Sequence, residues 1–179
     1  MIGALVAGIL LFGWQSLSWT ALHIHDDAYI YTPAENTLID ALSAQLAADG
    51  QYMVPRSKPD ASPEEMEKMG AEMKGKPWAV ITYHTAYKND MASPIIRGFL
   101  ISLFCAFIVC FVVQKLAVKT FGNIFATVMS FGLISFFFVW YNQHNWFETP
   151  WSVLKGEGID IVASWGLAGI WLGWWYGRR

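Results

Sequence analysis

Four apolar runs alternate with polar segments along the chain. They cover residues 1–22, 94–114, 121–141 and 159–177. A helix needs about 20 mostly apolar residues to cross the hydrocarbon core of a bilayer, and each run is close to that length. The pattern therefore predicts a membrane protein of the all-α bundle class with four transmembrane helices, in which residues 142–158 form an outer loop between the last two.

Residues 23–93, between the first two runs, hold most of the charged side chains and predict a small extracytoplasmic domain. Two helix-start signals lie in this segment, Thr32–Glu35 and Ser62–Glu65, and each places a proline at the first helical position. The domain also contains three short runs rich in β-forming residues: 28–31, 52–54 and 78–84. The alternation of these two kinds of segment predicts an α/β or α+β fold with a three-stranded sheet.

Composition supports the membrane assignment and narrows the range of partners. Apolar residues make up 55% of the chain and charged residues only 15%, whereas a soluble domain has about a quarter of its residues charged. The net charge of −2 gives no basic field for nucleic acid. We therefore expect the lipid bilayer to surround the helices, and we expect no nucleic-acid partner.

The basic residues near the ends of the runs predict the orientation of the chain. With four spans, the turn after residue 114 and the C-terminus lie on the same side as the N-terminus. That side carries Lys115, Lys119, Arg178 and Arg179, and the other side carries Lys88, Arg97 and Lys155. Because cytoplasmic loops hold the excess of Lys and Arg, we expect both termini in the cytoplasm, residues 23–93 outside, and the chain in the plasma (inner) membrane.

The four histidines are the candidates for metal ligands: His23, His25, His84 and His144. All four fall on the predicted outer side. His23, His25 and His144 follow the ends of spans, so we expect these three to lie close together. Neutral imidazoles with nearby carboxylates can hold zinc, copper or iron, so a metal ion or haem is one cofactor hypothesis. The alternative is that polar residues simply collect where helices leave the bilayer.

The last apolar run carries a stripe of small residues: Gly166, Gly169, Gly173 and Gly177. The first run carries another at similar depth: Gly3, Ala4, Ala7 and Gly8. Small residues let helix backbones approach closely within a bilayer. We therefore expect the first and fourth helices to pack through these two stripes, with Trp171 and Trp175 on the opposite face. A second chain packed against the fourth helix is the competing interpretation.

The sequence contains no familiar catalytic motif, neither a glycine-rich phosphate loop nor HExxH nor CxxC. We therefore expect a non-enzymatic accessory subunit or sensor. Its outer domain would contact a partner protein or a small ligand, and its helices would dock on other membrane subunits or on a second copy. Two alternatives stay open: a membrane-anchored metal or haem protein that uses the outer histidines, and an enzyme acting on a lipid headgroup or an envelope precursor.

Overall fold

The computed structural model describes residues 1–178 and is mostly helical. The elements in chain order are α1 (Ile2–Thr20), a 3₁₀ turn (Asp26–Ala28), α2 (Glu35–Gln45), β1 (Gly50–Val54), α3 (Pro63–Met73), β2 (Ala79–Tyr83), α4 (Ala92–Gln114), α5 (Phe121–Ser135), a π-helical stretch (Phe136–Tyr141), α6 (Asn142–Phe147) and α7 (Trp151–Gly177). The chain divides into two units. Met1–Ile30 and the chain from Asp90 onward form the helical unit, and Tyr31–Asn89 form the inserted unit.

The core of the helical unit lies where its four long helices meet. α7 packs against both α1 and α5, and α4 packs against α1. Small and branched side chains fill the space between them: Ala7, Val113, Ile124, Val128 and Leu172. Gly3 at the start of α1 lies beside Trp175 and Tyr176. His25, just after α1, lies beside Gly156 near the start of α7. α7 therefore runs antiparallel to α1 along the whole length of α1.

Three helical segments are long and apolar enough to cross a membrane: Ile2–Thr20, Ala92–Gln114 and Phe121–Phe147. They coincide with the first three predicted spans, although the third continues beyond residue 141. The predicted span at 159–177 is not among them, so a bundle of four transmembrane helices is not confirmed. The reason is compositional, because tryptophan and glycine add little hydropathy to α7 and Asp160 lowers it. Residues 151–158 were expected in a loop, but they form the first turns of α7.

The inserted unit contains α2, α3 and one antiparallel pair of strands. Gly50 lies opposite Tyr83 and Val54 lies opposite Ala79. The third strand predicted at 28–31 is wrong. A 3₁₀ turn occupies the start of that segment, and residues 28–30 belong to the helical unit, in which His25, three residues before, contacts Asp160.

The two helix-start signals of the inserted unit have different outcomes. Ser62 and Glu65 form a reciprocal capping box at the start of α3, so the prediction there is confirmed. α2 begins only at Glu35 and has no side-chain cap. Thr32 instead accepts a hydrogen bond from the backbone N–H of Ala34 in the turn that precedes the helix.

Candidate functional site

A buried polar network joins the first and last helices of the chain. Nε2 of His25 lies 2.9 Å from Oδ2 of Asp160, and the indole N–H of Trp14 donates to Oδ1 of the same carboxylate at 3.0 Å. His25 is only 5% exposed and Asp160 only 6%. An ionisable side chain among apolar helices is costly unless it is paired, so such a residue marks a functional position by default. Both oxygens of Asp160 have a partner.

The backbone around His25 positions its imidazole for this contact. α1 ends at Thr20, and His23 adopts a positive φ of 54°, a conformation that turns the chain sharply and that few residues other than glycine adopt. His25 is thereby directed back towards α7. Its ring stacks on Trp19, with centroids 4.0 Å apart and planes only 8° from parallel.

Gly156 forms the other side of the imidazole pocket. A Cβ added at this position would lie 2.7 Å from Nδ1 of His25 and 2.9 Å from its Cε1. The imidazole therefore fits only because residue 156 has no side chain. Between the ring of Trp19 and the backbone at Gly156, the histidine has little freedom to move away from Asp160.

A cavity of about 250 Å³ lies beside this network, between the four long helices. Its polar and charged wall residues are Gln15, Ser102, Cys105, Ser135, Glu157, Asp160 and Ser164. Trp14, Trp140 and Trp165 also line it. Concave sites with mostly apolar walls and a few convergent polar groups are the usual places for small ligands. The cavity and the His25–Asp160 network together form the candidate site.

The histidines predicted as metal ligands are not gathered into one set. His23 pairs with Asp26 at 3.3 Å on the surface, and Nδ1 of His144 lies 2.7 Å from the carbonyl oxygen of Thr149. His84 belongs to the inserted unit. Within residues 1–178, no three His, Cys, Asp or Glu side chains are placed to hold a metal ion together.

His84 has a structural partner at the open end of the strand pair. Asp49, just before β1, accepts hydrogen bonds from the backbone N–H and the hydroxyl of Thr85, at 2.9 and 2.7 Å. Nδ1 of His84 lies 3.3 Å from the other oxygen of Asp49. These bonds, those from Thr85 foremost, lower the pKa of Asp49 to about 2. The cluster thus ties the start of β1 to the residues after β2.

The glycine stripe of α7 faces α5, not α1 as expected. A Cβ added at Gly169 would lie 2.9 Å from the ring of Phe125, and one at Gly173 would lie 2.7 Å from the ring of Phe121. Gly177 lies near the backbone of Phe121, and Gly166 is near Met129 only at 4.0 Å. Large aromatic rings of α5 occupy the space that the glycines leave.

The face of α7 that meets α1 is aromatic. The indole N–H of Trp171 donates to the carbonyl oxygen of Gly3 at 3.0 Å, and Gly3 leaves room for the rings of Trp175 and Tyr176. The remaining small residues of α1 are buried as well: Ala4, Ala7 and Gly8. Gly8 lies against Leu103 of α4. Gly3 therefore accommodates side chains of α7 and Gly8 accommodates a side chain of α4, while the glycines of α7 face α5.

Several residues of the candidate site were not predicted from the sequence. Asp160 did carry a signal, since it is the only acidic residue within the run 159–177, and a lone acid in an apolar run favours a functional position. Trp14 and Gly156 carried no comparable signal, because their roles depend on contacts more than a hundred residues away in the chain. Comparison of the chain with protein-family models, curated proteins and solved structures found no match.

Proposed function

We propose that this chain is a non-enzymatic, multi-pass membrane protein that serves as an accessory subunit or sensor, and that its inserted unit binds another protein chain. The observation that carries the proposal is the lack of a core in that unit. Of residues 31–89, only Tyr83 is buried. A domain of this size normally buries about 60% of the surface that its unfolded chain exposes. The inserted unit thus has apolar side chains that a partner can cover.

The exposed apolar side chains lie in stripes on the two helices. On α2, Leu38 is 53% exposed and Ile39 is 51% exposed, and on α3 Met66 is also exposed. No residue of either helix is buried. An amphipathic helix is stabilised mainly by packing its apolar face. Covering these faces would bury methyl and thioether groups that now contact solvent.

The charges around the stripe of α3 indicate the chemistry of the partner. Four of the eleven residues of α3 are glutamates and one is a lysine: Glu64, Glu65, Glu67, Glu72 and Lys68. An acidic border of this kind disfavours an anionic lipid surface and complements a protein surface with basic residues around an apolar centre. The partner that fits is therefore a protein chain with an apolar patch bordered by Lys or Arg.

The membrane topology in this proposal has four spans, with both termini in the cytoplasm and the inserted unit outside. Two observations support it. α7 lies beside the chain from Gly3 to His25, so α7 and α1 extend over the same depth of the membrane in this proposal. Of the basic residues next to the ends of the long helices, four lie near residue 115 and at the C-terminus and three lie on the other side, and an excess of this sign is expected for the cytoplasmic side.

The experiment that tests the partner proposal is site-specific photocrosslinking in native membranes. A photoreactive amino acid replaces Leu38 in the full chain, and the matched control replaces Thr37, which is exposed on the opposite face of α2. We expect the Leu38 probe to give one discrete adduct with a different protein and the Thr37 probe to give none. The crosslinked peptide of the partner should contain apolar residues with Lys or Arg beside them.

A second variant links the adduct to the apolar stripe. Ile39→Asp should remove the adduct at Leu38 while leaving the thermal unfolding of the purified chain unchanged, because Ile39 is already half exposed. An adduct of twice the chain's own mass would show that the occupant is a second copy. Adducts with lipid alone, or equal yields at both positions, would also overturn the proposal.

A further inference from the structure

Two carboxyl groups line the wall of the cavity in the helical unit, and one imidazole, that of His25, lies near both of them. Glu157 and Asp160 line the wall, and no Lys, Arg or His does. Asp160 is already matched by His25 and Trp14. Glu157 is half-buried and makes no hydrogen bond with any other residue in the described range 1–178. A carboxylate without a bonded partner is thus left at the cavity wall.

The aromatic residues of the wall favour a cation over other ligands. Trp14, Trp140 and Trp165 belong to three different helical segments and line the same cavity. The face of an indole ring attracts positive charge more strongly than that of any other side chain. Indole rings suit a weakly hydrated organic cation, because such a cation gives up little hydration when it leaves water.

The hydroxyl groups of the wall can accept hydrogen bonds from such a ligand. Ser102 donates its proton to the carbonyl oxygen of Gly98, and Ser135 donates to that of Gly132. The oxygen of each hydroxyl keeps its acceptor capacity. The wall therefore presents acceptors and negative charge, an arrangement that repels anions.

The size and composition of the cavity limit the ligand further. Its volume of about 250 Å³ lies just below the ~300–1,000 Å³ range of pockets for drug-sized ligands. A metal ion fits poorly, because no group of three His, Cys, Asp or Glu ligands exists in residues 1–178. We infer that the cavity binds a small organic cation with a single positive charge, in which Glu157 supplies the countercharge and the three tryptophans surround the cationic group.

The test uses the full chain in lipid nanodiscs with choline and ethylammonium as probes. Tryptophan fluorescence and titration calorimetry measure binding, and the uncharged carbon isostere of choline is the control ligand. We expect saturable binding of at least one cation and none of the isostere. Glu157→Gln should weaken binding at least about tenfold, because it leaves a buried cation without its countercharge. Asp27→Asn removes an exposed carboxylate outside the cavity and should leave binding unchanged.

A second variant keeps the proposal falsifiable if Glu157→Gln fails to fold. Trp140→Leu removes one aromatic face and should also weaken binding of the cation severalfold. The inference is overturned if neither cation binds, if the isostere binds as well as choline does, or if Glu157→Gln in a folded chain binds with unchanged affinity. None of these outcomes depends on the partner of the inserted unit.

Discussion

At the residue scale, Gly156 determines whether His25 can reach Asp160. The ring of His25 is held by stacking on Trp19 and by its contact with Asp160, so a side chain at residue 156 would displace it from both partners. Glycine within a helix costs about 1 kcal/mol relative to alanine. The helix accepts that cost at residue 156 because any larger residue would occupy the space of the imidazole.

We expect Gly156→Ala to destabilise the helical unit by about 1–3 kcal/mol, since overpacking a filled site forces neighbouring side chains to shift. Gly158→Ala is the matched control two residues along α7. A Cβ there would lie 3.4 Å from the ring of Phe136, which is ordinary contact, so the gain in helix propensity should dominate. Thermal unfolding of the two variants in one detergent compares them. Equal stability of both would contradict the role assigned to Gly156.

At the element scale, α7 has two packing faces of opposite character. The glycines of α7 contact the rings of Phe121 and Phe125 from α5, and the aromatic rings of α7 contact Gly3 of α1. Each contact therefore pairs a small residue with a large one. This arrangement lets one helix pack closely against two neighbours, α1 and α5.

The hydrogen bonds of Asp49 next to the β1–β2 pair make the stability of the inserted unit depend on pH. Because Asp49 has a folded pKa of about 2, below its ordinary 3.8, its stabilising effect is fully present above about pH 4. It is lost as the pH falls through 2. We expect the amide resonance of Thr85 to titrate with a midpoint near 2, and Asp49→Asn to abolish that titration.

The control for this measurement is Asp60→Asn, which removes an exposed carboxylate elsewhere in the inserted unit and should leave the midpoint unchanged. A midpoint near 4 for Thr85 would mean that Asp49 is not hydrogen-bonded in solution as it is in the structure. In that case, the tie between the start of β1 and the residues after β2 would not hold.

The sequence predicted the elements better than it predicted their contacts. Periodicity and capping signals located three apolar helices and the start of α3, because these depend on neighbouring residues. The pairing of Trp14 with Asp160 could not be predicted, since their separation of 146 positions leaves no local pattern. The prediction that the glycine stripe of α7 packs against α1 was wrong for the same reason. A stripe shows that a helix is approached closely, but not by which helix.

At the scale of the whole molecule, the number of spans decides on which side the C-terminus lies. Although its hydropathy is low, α7 is 27 residues long, which corresponds to about 40 Å of helix and exceeds the ~30 Å of hydrocarbon. Four crossings place both termini on one side, and three crossings place them on opposite sides.

We expect single cysteines at Ser62 and Thr149 to react with an impermeant thiol reagent from outside, and one at Lys119 to react only after the membrane is permeabilised. A reporter fused after the last residue should behave as cytoplasmic. Both background cysteines, Cys105 and Cys110, lie within α4 and are replaced by serine first. If Lys119→Cys were labelled from outside and Ser62→Cys were not, the true topology would be the inverse of the proposed one. If the C-terminal reporter were outside, α7 would not cross the membrane.

The contact of Asp160 with Trp14 and His25 also affects how the chain is made. α1 leaves the ribosome before α7, because the carboxylate of Asp160 is synthesised 146 positions after Trp14. During that interval, α1 and α4 can pair through Gly8 and Leu103, but the polar face of α1 at Trp14 has nothing to bind. Completion of the last helix supplies the missing acceptor. A nascent chain that stops before residue 160 would therefore keep an unsatisfied indole at that face, and the cell's quality-control machinery could recognise it as incomplete.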